Sequence, residues 1–261
     1  MHFGMTIAGS DSGAGAGMQQ DLKTFTALGV YCAAIVTSVT AQNTYEVTAI
    51  YDLPAEIVEA QIEAVLADFE IRYGKTGMLS NADIVRSVAR KAREHGLSLV
   101  VDPVMVSKSG AVLLKQEAVE ALRSDLLSLA LMVTPNIPEA EILSGVKISN
   151  SYDMEEAARR IIELGPKYVV IKGGHMQGET VTDLFYDGKS IMKFSYDRVN
   201  TKNTHGGGDT LSAAITAYLS KGYEPLRAYA LGRRFMQRAI ERALNVGKGY
   251  GPVNPIYKLL K

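Results

Sequence analysis

The sequence has almost no cysteine. Cys32 is the only one in 261 residues, which excludes an internal disulfide framework and a cysteine metal cluster and suits a reducing cytoplasm. It has no net charge, with 28 Lys and Arg against 28 Asp and Glu. A general nucleic-acid binder carries a basic excess, so the balance points away from nucleic acid while leaving room for a local basic pocket. No apolar run reaches the roughly 18 residues of a membrane span. The start, Met1 to Ile7, lacks a basic leader and runs into glycines and Asp11, so neither a signal peptide nor a membrane contact is expected. The four histidines show no zinc spacing. Gly74-Lys75-Thr76 resembles the end of a P-loop, but the required earlier glycine falls on Phe69. Gly13, Gly15 and Gly17 miss the dinucleotide spacing G-x-G-x-x-G. Low-complexity blocks, long linkers and clear repeats are missing too.

What is present is an alternation of strand-like and helix-like segments, the pattern of a parallel sheet flanked by helices. Strands are expected at 3–8, 31–39, 46–53, 71–78, 97–102, 131–134 and 168–171, with a hairpin of 182–186 and 191–196 around Asp187-Gly188. Helices are expected at 18–28, 54–69, 82–95, 209–221 and 226–246, and Gly9 to Gly17 reads as a loop. Pro54 suits a first helical turn, and Ile57, Ile62, Val65, Leu66 and Phe69 would form the buried stripe behind it. Three short apolar strands end in Asp102, Asn136 and Lys172. Ligands bind outside the carboxyl ends of strands in open α/β sheets, so these three share one functional edge.

The strongest local feature is Asn203-Thr-His-Gly-Gly-Gly-Asp-Thr-Leu-Ser-Ala-Ala-Ile215. Gly206, Gly207 and Gly208 run into a helix, where backbone N–H groups and the helix dipole favour an anion. Asp209 in the first turn could take the proton of an attacking hydroxyl; a glycine-rich turn capped by Asp is the alternative. In Thr134-Pro-Asn-Ile-Pro-Glu139, Asn136 and Glu139 share a helix face and could hold hydrated Mg²⁺, or simply enrich a helix start in acid. Lys172, leaving a strand into two glycines, could reach a phosphate or be a surface lysine. Gly9-Ser-Asp-Ser-Gly-Ala-Gly-Ala-Gly17 suggests close backbone approach to a flat ligand. Cys32 reads as packing.

These motifs stand in a fixed order with four more: Ala41-Gln-Asn-Thr44, Lys75-Thr-Gly-Met-Leu79, Val101-Asp-Pro-Val-Met-Val-Ser-Lys-Ser-Gly110 and Gly247-Lys-Gly-Tyr-Gly-Pro-Val-Asn254. Together they closely resemble the hydroxymethylpyrimidine and phosphomethylpyrimidine kinases of thiamine biosynthesis, relatives of pyridoxal kinases in the ribokinase-like superfamily. The resemblance covers nearly the whole chain. It implies one ribokinase-like α/β/α three-layer domain over residues 1–261 with a mostly parallel central sheet, a cytoplasmic homodimer, and use of ATP and Mg²⁺. It also implies phosphorylation of 4-amino-5-hydroxymethyl-2-methylpyrimidine and then of the monophosphate. By the same resemblance Gly9, Ala16, Asp21, Gln42, Met78 and Val106 would line the substrate pocket. Asp102 and Glu139 would organise Mg²⁺ through water, and Asn136, Lys172 and Gly208 would meet ATP. The alternatives are a pyridoxal kinase and a non-catalytic pyrimidine-binding protein.

One departure stands out. The thiamine kinases resembled read Gly-Thr-Gly-Cys where this chain has Gly206-Gly207-Gly208-Asp209. Three glycines in a row should loosen the anion hole. A carboxylate at 209 should help an alcohol to attack and repel an acceptor that already carries a phosphate. Each unit-charge pair at about 4 Å would cost on the order of 4 kcal/mol at an effective dielectric near 20.

Overall fold

The computed structural model describes residues 1–106, 110 and 113–259. The part of the Val101–Gly110 motif at positions 107–109 therefore lies outside the described residues. Nine strands form one sheet: β1 His2–Asp11, β2 Val30–Gln42, β3 Val47–Asp52, β4 Tyr73–Thr76, β5 Ser98–Val101, β6 Ala130–Val133, β7 Tyr168–Ile171, β8 Thr180–Tyr186 and β9 Ile191–Asp197. Their order is β3-β2-β1-β4-β5-β6-β7-β8-β9. The six central strands from β2 to β7 run parallel, while β3 at one end and the β8–β9 hairpin at the other are antiparallel. The helices are α1 Gly17–Ala27, α2 Ala55–Leu66, α3 Ala82–Glu94, α4 Gln116–Ala121, α5 Ile137–Ser144, α6 Ser151–Ile162, α7 Gly207–Ser220 and α8 Pro225–Glu241.

The short strands are apolar on both sides because both sides are covered. Leu99 and Val101 of β5 join the core under α2, α3, α5 and α6. Val100, between them, joins Met132 and Val170 in a second core under α7 and α8. Phe25 of α1 packs with Val30, Ala213 and Ala217 on that second side. The three expected layers are thus present, with the α1, α7 and α8 layer facing the α2, α3, α5 and α6 layer across the sheet.

The structure corrects several sequence expectations. β1 continues to Asp11, so the glycine-rich segment begins in extended backbone and turns only at 12–16. In α2 the expected stripe holds at Ile62, Val65, Leu66 and Phe69, but Val58 is buried at its start in place of Ile57, which is 48% exposed. α8 stops at Glu241 rather than 246, where Leu244 N–H donates to the Pro252 carbonyl instead. α4 and α6 were not anticipated, although α6 opens on a full Asn150–Asp153 capping box.

Strand order reverses between β1 and β4, since β1 leads through α1 to β2 on one side and the later strands extend on the other. That reversal opens a crevice at the carboxyl ends of the strands. α7 packs on β1, β4 and β5, so its N-terminus points into that crevice.

Candidate active site

A cleft of about 1350 Å³ opens along the carboxyl edge of the sheet. Gly9, Ala16, Gln42, Met78 and Val106 line one part of it. Asp102, Asn136, Glu139, Lys172, Gly206, Gly207, Gly208 and Asp209 line the same cleft. Residues from seven separated motifs are therefore brought together, and one expected residue is not. Asp21 is fully buried and absent from the lining. It lies beneath the floor, where Thr6 Oγ1 donates to it at 2.6 Å and Lys75 Nζ at 2.9 Å. Its place on the inward face of α1, against β1 and β4, removes it from substrate contact.

The head of α7 is built by backbone constraint. Gly206 caps the helix at φ +73, and a Cβ there would lie 2.0 Å from the Gly15 carbonyl oxygen. Only glycine fits both the left-handed conformation and the approach. Gly208 faces the charged groups: a Cβ would sit 3.2 Å from Asp102 Oδ2 and 3.5 Å from Lys172 Nζ. Gly207 differs, with nothing within 4 Å of its Cβ position. Its amide is taken by the Thr204 carbonyl at 3.2 Å. The first intrahelical bond runs from Thr210 N–H to Gly206, so the anion site centres on the first-turn amides of Gly208 and Asp209 rather than on three glycine amides.

Asp209 is not a lone carboxylate. Lys75 Nζ donates to its Oδ1 at 2.9 Å, and its side chain is 15% exposed. Burial alone would push the Asp209 carboxyl up, but the charge and hydrogen bond of Lys75, with the Gly17 amide and His205, together hold it below the usual carboxylate range. Asp21, on the other side of Lys75, is pushed by burial up to about 7, against the pull of Lys75. Lys75 is held above its usual value because its two carboxylate partners outweigh desolvation.

A second charged group lies beside the first. Lys172 Nζ donates to Asp102 Oδ1 at 2.8 Å, while Thr134 and Ser212 hydroxyls donate to Asp102 at 3.3 Å. Lys172 is set by a parallel bridge to Asn136 and by its N–H on the Pro135 carbonyl. Asn136 and Glu139 form a reciprocal capping box at the start of α5. Burial pushes Glu139 up to about 7, with Lys172 pulling it down and Asp102 lifting it. A buried carboxylate in that condition is short of positive charge. Together with Asp102 it provides the two hard oxygen donors that hydrated Mg²⁺ needs alongside phosphate oxygens, so the residues fit the ion.

Sequence reasoning missed three residues. Lys75 was read as a failed P-loop lysine and as the first residue of the 75–79 motif, with no role given to it; a lysine at an inward position of the strand expected at 71–78 was the available signal. Asp11 accepts the amides of Gly13, Gly15 and Ala16 and His205 Nε2 at 3.2 Å. His205 in turn bonds the Gly251 and Val253 backbone. The motif at 247–254 thus ties down the loop before α7, and its Gly249 and Tyr250 amides bond Thr44 of the 41–44 motif. Cys32 is partly buried and burial pushes its thiol up, in keeping with a packing role.

The sequence model of the family described as phosphomethylpyrimidine kinase matches residues 11–254. A hydroxymethylpyrimidine/phosphomethylpyrimidine kinase from Rhizobium meliloti is 46% identical over 260 residues, covering 98% of each chain. The ADP complex of Bacillus subtilis pyridoxal kinase superposes with a TM-score of 0.93 at 37% identity, covering 100% of both chains. A phosphomethylpyrimidine kinase from Clostridium difficile gives a TM-score of 0.82 at 44% identity, covering 92% of this chain and 100% of that one. The expected ribokinase-like fold is therefore the observed one, and this chain belongs to the phosphomethylpyrimidine kinase family.

Proposed function

We propose that this chain transfers the γ-phosphoryl group of ATP to the hydroxymethyl group of 4-amino-5-hydroxymethyl-2-methylpyrimidine, and more slowly to the resulting monophosphate. The observation that carries this reading is one cleft holding the head of α7, Asp209, the Lys172–Asp102 pair and Glu139 beside Gln42, Met78, Gly9 and Ala16. The whole chain, 1–261, acts as one kinase domain in the cytoplasm.

The aminopyrimidine lies against Gly9, Ala16, Met78 and Val106, with Gln42 on its polar edge. Asp209, ionised beside Lys75, accepts the hydroxyl proton as the oxygen attacks. The amides of Gly208 and Asp209 receive the transferring phosphoryl oxygens, and Lys172 with Asn136 meets the nucleotide phosphates. Asp102 and Glu139 would hold Mg²⁺, which when bound would neutralise charge on the phosphates. Lys75 offsets part of the repulsion between Asp209 and a phosphorylated acceptor, so the second transfer is slowed rather than abolished.

A pyridoxal kinase is the second reading, favoured by the close superposition on the Bacillus subtilis enzyme. Mass spectrometry of products from the pyrimidine alcohol and pyridoxal, side by side with MgATP, tests both readings and counts phosphates. We expect monophosphate of the pyrimidine to accumulate, and Asp209→Asn to lower its formation by about 10²-fold. Preferential phosphorylation of pyridoxal would shift the assignment. Absence of transfer to either alcohol would favour a binding protein on the same fold.

We further propose a homodimer through the free edge of the sheet. β3 has one unpaired side, and Tyr45, Ile50, Tyr51 and Val39 stand 40–68% exposed around it.

A further inference from the structure

A lysine without exposed surface must be neutralised by its neighbours. Lys75 on β4 is such a residue, and its ammonium sits 2.9 Å from both Asp21 of α1 and Asp209 of α7. The arrangement is built around it. Thr6 on β1 pins Asp21 from the other side. Residue 77 is glycine where a Cβ would come 2.9 Å from Lys75 Nζ. Of the three charged groups only Asp209 reaches the cleft. We infer that Lys75 is a positioning residue for the phosphoryl transfer, fixing the Asp209 carboxylate at the head of α7 from beneath the cleft. This rests on the kinase reading given above.

The physical argument is one of rotamer selection. An aspartate in a first helical turn can swing to solvent or fold back on nearby backbone amides. The bond to Lys75, with one from the Gly17 amide, holds the Asp209 side chain on the sheet side. Asp21 supplies what Asp209 alone would not. It anchors the ammonium in the interior, so that Lys75 does not follow Asp209 outward when a ligand enters. The buried Asp21, expected from the sequence to touch substrate, acts through Lys75 instead.

A double-mutant cycle tests this. Lys75→Met should lower kcat by about 10²-fold with acceptor KM changed less than about threefold, as for loss of a general base. In an Asp209→Asn background the same substitution should cost less than about threefold. Asp21→Asn keeps an acceptor for Lys75 but weakens its anchor, so it should lower kcat by less than Lys75→Met does, with acceptor KM within about threefold because Asp21 does not touch the acceptor. An equal cost of Lys75→Met in both backgrounds would overturn the inference, as would a large rise in acceptor KM for Asp21→Asn.

Lys75→Met leaves two carboxylates without their counter-charge and is prone to unfolding, so a second variant is needed. A crystal structure of Asp21→Asn/Lys75→Met should show the Asp209 carboxylate in a different rotamer. An unchanged Asp209 side chain there would sink the inference. That readout also serves if the parent chain phosphorylates no acceptor, an outcome that fails the functional reading while the role of Lys75 is still decided by the rotamer.

Discussion

Two adjacent glycines in the head of α7 are under opposite constraints. Gly206 is left-handed and touches the Gly15 carbonyl, so Gly206→Ala should destabilise the fold by about 1–3 kcal/mol or more and disrupt transfer. Gly207 is helical with open space at its Cβ, so Gly207→Thr should leave stability within about 0.5 kcal/mol. Urea unfolding of both variants checks this. Asp21 offers a pH test. Its carboxyl is lifted from 3.8 to about 7 by burial, so the folded chain binds this proton more tightly than the unfolded one. Its contribution is fully present below about pH 4 and is lost as pH rises through about 7. Lys75 and Asp209 keep their charge across that window, since one is held above and the other below its usual value. Thermal melts between about pH 5 and 8 should therefore move in favour of Asp21→Asn relative to the parent as pH rises, by up to about 1.4 kcal/mol per unit. A difference independent of pH would show that Asp21 is ionised throughout.

At the scale of elements, the β8–β9 hairpin grips the turn that carries Lys172. Asp183 of β8 accepts the Gly173 amide at 2.8 Å and pairs with Arg233 of α8 at 2.7 Å, and both side chains are buried. Tyr229 donates to the same carboxylate, and the Arg233 guanidinium lies 3.9 Å from the Tyr196 ring centroid. Removing one partner strands the other, so Arg233→Met should cost about 3–5 kcal/mol. Adding Asp183→Asn should recover a large part, because an amide oxygen can still accept the Gly173 N–H. Calorimetry on the single and double variants distinguishes this from simple loss of packing. At the start of α5, Asn136→Ala removes the side-chain half of a capping box, the acceptor of the Glu139 N–H, and should destabilise by about 1 kcal/mol. It should also raise the KM for MgATP by removing the Asn136 side chain from the cleft.

For the whole molecule, the proposed dimer turns on one end of the sheet. The parallel strands are covered on both sides, whereas the antiparallel β3 ends the sheet with exposed Ile50 and Tyr51. A long apolar edge left uncovered is a pairing surface. Tyr51→Lys should shift the protein to monomer in sedimentation at micromolar concentration with little loss of fold; an unchanged sedimentation coefficient would move the interface elsewhere. Among the described residues no helix is long and apolar enough to cross a membrane.

Period-two and period-3.6 patterns made most strands and helices legible, because burial on one or both faces imposes those periods whatever the partner is. The glycines at 206 and 208, and the polar ends of β5, β6 and β7, were legible too, since backbone conformation and strand polarity are local properties. What the chain alone did not disclose is where charge meets charge. Lys75 and Asp21 are 54 residues apart, Lys75 and Asp209 are 134 apart, and neither spacing leaves a local signature. The sequence by itself determined the layers, the functional edge and, through the family resemblance, every expected site residue of the cleft except Asp21. Only the tertiary structure decided that Asp21 lies beneath the floor, that Gly207 spends its amide on Thr204, and that Asp209 faces a buried lysine. These are outcomes of long-range packing, in which a residue's chemistry is set by whichever distant groups burial forces against it.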